Sequence, residues 1–159
     1  MTLPSIGTFV VNGRAMRAAD LAARIHAQAQ KFADIPLIAN KKASIKLYQW
    51  VMMNFELEGA LTAEGWPDLS DRTIEWKEDH GYEKPMQNTR NLIQSFLPYS
   101  DALVALVGSP VDYAKKHQMG DDGPPRLPQR RLLPNEDETQ EIVMPIYDRQ
   151  VNIVISEKW

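Results

Sequence analysis

Apolar residues recur at steps of three and four through the first part of the chain. Between residues 14 and 33 they are Ala18, Leu21, Ile25, Ala29 and Phe32. This spacing places side chains on one face and predicts an amphipathic helix. Pro36 is predicted to end that helix, because proline lacks the backbone N–H that the next turn needs. Residues 6–13, before the helix, predict a short strand that ends in an Asn-Gly turn.

A second helix is predicted from Asn40, a residue type favoured at helix N-termini, to about residue 58, before Gly59. Its apolar positions, which are typical of a helix face packed in a core, are Ile45, Tyr48, Met52 and Phe55, widened by Leu47 and Val51. Trp50 lies off this stripe. Because aromatic residues are enriched in protein interfaces, we interpret Trp50 as a candidate contact for a neighbouring subunit.

Residues 59–120 predict short elements separated by glycine and proline. Ser70 is predicted to cap a short acidic helix that ends near Gly81, with Leu69 and Ile74 placed as a hydrophobic staple. Residues 89–95 predict a helical turn. Residues 95–97 and 103–107 predict two antiparallel strands around a turn at residues 98–101. Residues 111–120 predict a brief helical segment that ends at Gly120.

The C-terminal part begins with a proline-rich segment, residues 121–134, which is predicted to be extended. Its arginines, predicted to form a compact positive patch, are Arg126, Arg130 and Arg131. Asn135 and the acidic residues after it predict a helix start, and Pro145 is predicted to interrupt or end that helix. The alternating apolar residues at 151, 153 and 155 predict an edge strand, with a frayed helix as the alternative.

Together these elements predict a single α+β domain over residues 1–159. N-terminal helices pack on a small antiparallel sheet, residues 121–134 form an extended loop or arm, and residues 135–159 form a C-terminal interaction segment. Apolar residues make up 43% of the chain and charged residues 25%, as in ordinary globular domains. No signal-peptide pattern and no apolar run long enough for a membrane span is present in the sequence.

The charge is distributed in alternating blocks. The net charge is +5 over residues 1–50, −6 over 51–84, +2 over 85–134 and −4 over 135–159. These blocks are either solvated faces or opposed faces that stack on neighbouring subunits. The overall charge of −3 disfavours a generally basic nucleic-acid binder.

Few residues suit catalysis or metal binding. The chain has no cysteine, which excludes disulfide scaffolds, cysteine nucleophiles and thiolate zinc sites. Its three histidines, His26, His80 and His117, lie in no metal-ligand spacing, and no serine lies in a nucleophile elbow. No phosphate-binding glycine loop is present. We therefore predict no catalytic residue, cofactor or metal, and keep a small hydrolase with a dispersed His/Asp site as an alternative. His117 is predicted to bond a loop backbone.

Four blocks follow one another in a characteristic order. They are Trp66, Leu69 and Ser70; Thr89, Leu92 and Ser95; Tyr113, His117, Gln118 and Gly120 after a Val-Gly-Ser strand end at 107–109; and Pro128 and Arg130 before Leu132 and Leu133. In this order the chain resembles the phage virion morphogenesis family, the tail-completion proteins of Mu-like phages. Two positions depart from the family pattern. Arg90 stands where the family usually has glycine, and Pro145 lies in what is otherwise a plain terminal helix.

The resemblance implies a non-enzymatic structural protein that completes the tail and joins it to the head. It implies a ring of identical subunits in the neck, commonly six, with tail-tube and head–neck proteins as partners. The location implied is the virion, after assembly in the host cytoplasm, without membrane contact. A head-side connector or adaptor is the alternative within this class. If the protein forms such a ring, we hypothesise that Arg126, Arg130 and Arg131 lie near DNA phosphates.

Overall fold

The computed structural model describes residues 8–11, 14–82, 84–123 and 126–157. Within these ranges the chain has two antiparallel strand pairs and five helices. In chain order they are β1 Thr8–Val11, β2 Arg14–Arg17, α1 Ala18–Glu56, α2 Asp71–Asp79, α3 Asn91–Gln94, β3 Leu97–Ser100, β4 Ala105–Gly108, α4 Asp112–Met119 and α5 Glu136–Ser156. The predicted α+β class is confirmed. The Asn-Gly turn at residues 12–13 lies outside the described residues.

Helix α1 is one continuous helix of 39 residues, so the prediction of two helices divided at Pro36 is wrong. Tertiary contacts on both sides of the proline hold the helix together. Ile35 and Ala39 are buried. Asn40, predicted to be an N-cap, is instead buried inside the helix, where its amide donates to the Asp101 carbonyl at 2.9 Å and accepts from the Tyr147 hydroxyl. These contacts offset the backbone hydrogen bond that Pro36 removes.

The buried face of α1 begins at its middle. Its apolar members are Ile35, Ala39, Ala43, Leu47, Val51 and Phe55. The predicted stripe is therefore partly right: Phe55 is buried, Tyr48 and Met52 are half-buried, and Ile45 is exposed. The predicted face further towards the N-terminus is largely exposed, since Ile25 is half accessible. Consequently the buried residues of α1 lie in its C-terminal part, and its N-terminal part contributes mostly exposed side chains.

The core lies where the end of α1 meets the later elements. Its buried members are Val51, Phe55, Leu92, Phe96, Ala114 and Leu132. Trp50 packs against this cluster and is half-buried. Part of the Trp50 surface therefore covers the core of its own chain, and its contact with a neighbouring subunit stays a prediction.

Helix α5 packs antiparallel along α1. The Gln28 amide donates to the Val154 carbonyl at 2.8 Å, and Tyr147 reaches Asn40 nearer the middle of α1. The predicted helix start at Asn135 is confirmed, and Asn135 caps α5 with a reciprocal capping box that includes Glu138. Pro145 lies inside the helix, so the predicted interruption is wrong, and so is the predicted strand at residues 151–155.

The hairpin β3–β4 packs on α1. Its presence was predicted, but its turn lies three residues after the predicted turn at residues 98–101. Leu97 pairs with Gly108 and Ser100 with Ala105, so residues 98–100 belong to a strand. The side chain of Asp101 sets the turn, since its Oδ1 accepts the backbone N–H groups of Leu103 at 2.7 Å and Val104 at 2.9 Å. These hydrogen bonds lower the pKa of Asp101. Local capping of this kind defines an Asx turn.

Candidate functional site: the arginine segment and its cleft

The proline- and arginine-rich residues 126–134, here called the arginine segment, lie against α4. The side-chain Oε1 of Gln118 accepts the backbone N–H groups of Leu132 at 2.7 Å and Leu133 at 3.0 Å. The backbone N–H of Arg130 donates to the carbonyl of His117 at 2.7 Å. The segment is extended, as predicted, but these bonds make it part of the domain surface instead of a projecting arm.

Gly120 allows the close approach of this segment. Its φ is +77°, a value that side chains with a Cβ rarely adopt. A Cβ at this position would lie 3.2 Å from the Gln129 nitrogen and 3.3 Å from the Leu127 carbonyl oxygen. The predicted end of α4 at Gly120 is therefore confirmed, with a packing reason in addition to the turn.

Trp66 fixes the other end of the arginine segment. Its indole N–H donates to the Arg131 carbonyl at 2.9 Å, and the Asn54 amide donates to the same carbonyl at 3.0 Å. The Trp66 ring packs edge-on against Phe55 with centroids 5.4 Å apart. Trp66 thus links the core to the segment, so two blocks of the resemblance meet in space.

The block around Leu92 and Ser95 supports the hairpin. Leu92 is buried in the core. The Ser95 hydroxyl donates to the Leu92 carbonyl at 2.6 Å and lies 2.6 Å from the Ser109 hydroxyl at the end of β4. Arg90, at the position where the family usually has glycine, adopts a φ of +59° just before α3. The left-handed turn is therefore made by an arginine, at a cost of about 1–2 kcal/mol.

The predicted positive patch of three arginines is wrong, because the side chains of two of them bind other groups within the domain. Arg130 is only 5% exposed, and its Nη2 donates to the carbonyls of Pro67 at 2.9 Å and Asp68 at 3.3 Å. Arg126 alone is largely exposed, and it pairs with Asp122 at 3.2 Å.

Arg131, the third arginine, forms a two-pronged ion pair with Glu138. The two bonds measure 2.6 and 2.9 Å, and a longer contact of 3.4 Å reaches Glu64. The pair raises the pKa of Arg131 and lowers that of Glu138. Charge-assisted pairs of this geometry are strong, and this one ties the arginine segment to the start of α5.

A cleft of about 720 Å³ opens between α2, α4 and the arginine segment. Eight of the predicted site residues line it: Leu69, Ser70, Thr89, Leu92, Tyr113, His117, Arg126 and Arg130. Ser70 caps α2, as predicted, by accepting the Thr73 N–H at 3.4 Å. The four blocks of the resemblance thus converge on one region of the molecule.

Lys77 also lines this cleft, and sequence reasoning missed it. It is 4% exposed although it lies in the acidic helix α2. Its ammonium group donates to the Lys84 carbonyl at 2.8 Å and to the Asn88 side-chain oxygen at 2.5 Å. Burial lowers the pKa of Lys77, and the charge of Glu58 opposes this effect. A lone lysine in an acidic helix gave no signal of burial.

Among the residues that the structure describes, the buried Nδ1 of His117 has no hydrogen-bond partner. The prediction that this side chain bonds a loop backbone is therefore wrong for Nδ1, and the backbone carbonyl of His117 makes the bond to the arginine segment instead. His80 is exposed and stacks on Trp76 with ring centroids 4.4 Å apart. Among the described residues, no histidine bonds a carboxylate and no cluster of three metal-ligating side chains exists.

Replacing His117 by glutamine is expected to make the protein less sensitive to acid. Burial lowers the pKa of His117, and the charge of Arg130 lowers it further. As the pH falls through 6.5 towards the folded-state pKa, the unfolded chain binds a proton that the folded chain does not, so stability is lost. Each unit of pKa displacement is worth about 1.4 kcal/mol. Urea unfolding at about pH 7.5 and about pH 5 measures this loss, which should shrink in His117→Gln and persist in His26→Gln.

Within the described residues, no helix combines the length and apolar character needed to cross a membrane. Comparisons of the chain with protein-family models, with curated proteins and with solved structures returned no match.

Proposed function

We propose that this chain is a structural subunit of a phage virion, acting as a ring component of the neck that completes the tail and takes part in head–tail joining. The observation that carries the proposal is an apolar surface on the hairpin β3–β4. Tyr99 pairs with Leu106, and Leu97 lies two residues from Tyr99 on the same face. All three side chains are exposed, and Leu103 at the turn is 94% exposed. Grouped exposed apolar residues mark protein-binding surfaces.

The edges of this hairpin favour a head-to-tail contact. The Asp101 N–H donates to the Val104 carbonyl, so hydrogen-bonded and non-hydrogen-bonded pairs alternate from that point. By this alternation the backbone groups of Ala105 and Val107 point away from β3. On the opposite edge Pro98 has no N–H to offer, which blunts that edge. One open and one blunted edge suit a heterologous interface, the type that builds rings.

Unpaired charges on two helices add support. Helix α2 carries exposed carboxylates at Asp71, Glu75, Glu78 and Asp79. Helix α1 carries exposed ammonium groups at Lys41, Lys42 and Lys46. No ion pair within the described residues joins the two sets. Complementary patches of this kind orient subunits as they meet and so favour one contact over others.

A glutamate in place of Leu106 is expected to abolish assembly while leaving the subunit folded. A charge in the centre of a buried interface costs about 2 kcal/mol or more, so binding to purified tail tubes should weaken at least about thirtyfold. Native mass spectrometry and sedimentation with tubes measure this. Ile25→Glu is the matched control, because Ile25 is 51% exposed, Leu106 is 43% exposed, and Ile25 lies outside the hairpin and both charged sets.

Assembly measurements on the wild-type protein distinguish the tail-side ring component from the head-side connector. Rings formed alone or on tail tubes support the proposal, and binding to tail-free heads but not to tubes supports the head-side connector instead. A protein that stays monomeric and ignores both tubes and heads contradicts the proposal.

A further inference from the structure

The cleft between α2, α4 and the arginine segment contains two buried cations without a carboxylate partner among the described residues. Arg130 and Lys77 are both more than nine-tenths buried, and neither forms an ion pair in this part of the chain. The polar partners found for both are neutral oxygens: Pro67 and Asp68 carbonyls for Arg130, and the Lys84 carbonyl and Asn88 amide for Lys77. Buried charges in proteins are normally paired, so this arrangement lacks an anion.

Two further nitrogen atoms in the same cleft have no hydrogen-bond partner among the described residues. They are the buried Nε of Arg130, which is a donor, and the buried Nδ1 of His117, which is a donor when protonated. Hydroxyl groups of Ser70, Thr73 and Tyr113 also line the cleft, and those of Ser70 and Thr73 bond each other at 2.8 Å, which leaves one of these two hydrogens for a ligand. The two hydroxyls on α2 lie at its first turn, where the helix dipole favours negative charge.

One acidic residue, Asp68, is among the described residues that line the cleft. It bonds Arg130 through its backbone carbonyl, and its carboxylate forms no ion pair with either buried cation in the described part. Two further acids act from outside the lining: the charge of Glu58 raises the pKa of Lys77 against the effect of burial, and Asp122 pairs with the exposed Arg126 at the rim. The charge balance inside the cleft is therefore positive.

We infer that this cleft binds a phosphate group, held by Arg130 and Lys77 from the inside and by His117 and the hydroxyls of Ser70 and Thr73 around it. A phosphate monoester carries about 1.5 to 2 negative charges near pH 7, which matches two cations better than the single charge of a carboxylate does. The donors also come from three elements on different sides, an arrangement that suits a tetrahedral group better than a planar one.

The volume of the cleft, about 720 Å³, leaves room for more than the phosphate group alone. Free phosphate and a phosphate carried by a nucleotide share the chemistry that the cleft recognises. Comparing inorganic phosphate with a deoxynucleoside 5′-monophosphate distinguishes these sources. Tighter binding of the nucleotide would show that the rest of the cleft contacts the nucleoside. Equal binding would show that the cleft recognises the phosphate group alone. Either result supports the inference.

The imidazole of His117 provides the direct readout. The chain has three histidines, so His26 and His80 act as internal references in one NMR spectrum. Bound phosphate places negative charge beside His117 and should raise its pKa, whereas burial and the charge of Arg130 now lower it. A pH titration in phosphate, compared with chloride at equal ionic strength, measures the change. An unchanged His117, the same effect in chloride, or acetate binding as well as phosphate would each overturn the inference.

A pair of exposed arginines provides a test that leaves the buried residues untouched. Arg126 lines the rim of the cleft, and Arg72 is an exposed arginine outside it. Arg126→Gln should weaken phosphate binding about three- to tenfold in the same NMR titration, and Arg72→Gln, which removes the same charge, less than about twofold. Equal effects of the two variants would show a general charge effect and contradict a site in this cleft.

Discussion

Replacing Gly59 by alanine is expected to lower the free energy of unfolding by about 2–5 kcal/mol, from a steric collision added to backbone strain. Gly59 has a φ of +89°, which favours glycine. A Cβ at this position would lie 2.2 Å from Cγ and 2.3 Å from Cδ1 of Trp66. Neither distance is tolerable for two carbon atoms, so the backbone or the indole ring must move.

Trp66 has little room to move. Its ring packs against Phe55, which is fully buried, and its indole N–H bonds the Arg131 carbonyl at 2.9 Å. Displacing the indole therefore removes a hydrogen bond from the arginine segment and opens the core at its centre. We expect the effect to reach the cleft, since Arg131 is adjacent to Arg130.

Chemical denaturation of Gly59→Ala beside Gly65→Ala checks this prediction. Gly65 also has a left-handed φ, +65°, but its Cβ would meet no atom within 4 Å. The control therefore suffers the backbone strain alone, about 1–2 kcal/mol. If the two variants lose the same stability, the collision with Trp66 is not the cause. A shift of the Trp66 indole N–H resonance in the NMR spectrum of Gly59→Ala, without one in Gly65→Ala, would locate the damage.

Elements with local causes were predictable from the sequence. Ser70 and Asn135 cap their helices through side-chain bonds to backbone N–H groups three residues away, so the residue types themselves carry the signal. Gly81 and Gly120 likewise mark helix ends because their φ values are positive. The hairpin β3–β4 was found for the same reason, although the Asp101 side chain, and not the Pro98 ring, sets its turn.

Features decided by distant contacts were not predictable in this way. Pro36 and Pro145 lie inside helices that pack on each other, and their neighbours along the helix supply the stability that a proline removes. Arg130 and Arg131 differ in partner although they are adjacent, because their contacts, Pro67 and Glu138, lie in different parts of the chain. No local pattern separates such arginines, and the same holds for the burial of Lys77.

Removing the acceptor of Gln118 is expected to destabilise the protein by about 2–5 kcal/mol. Its Oε1 accepts two backbone N–H groups of the arginine segment, those of Leu132 at 2.7 Å and Leu133 at 3.0 Å. Gln118→Met keeps the length of the side chain but leaves both donors unpaired beside the core, where Leu132 is 1% exposed. A buried unpaired donor costs about 1–3 kcal/mol.

Two further variants separate this effect from others. Gln118→Glu keeps an acceptor oxygen for both N–H groups and should recover most of the stability, although its charge is partly desolvated. Gln129→Met removes a single bond, from the Gln129 amide to the Gln118 carbonyl at 2.9 Å, at an exposed position, and should change stability by less than about 0.5 kcal/mol.

Amide hydrogen exchange provides the local readout. The N–H groups of Leu132 and Leu133 should exchange faster in Gln118→Met relative to amides in the middle of α1, because the segment loses its link to α4 first. Equal acceleration throughout the chain would indicate global unfolding and would contradict the local role assigned to Gln118.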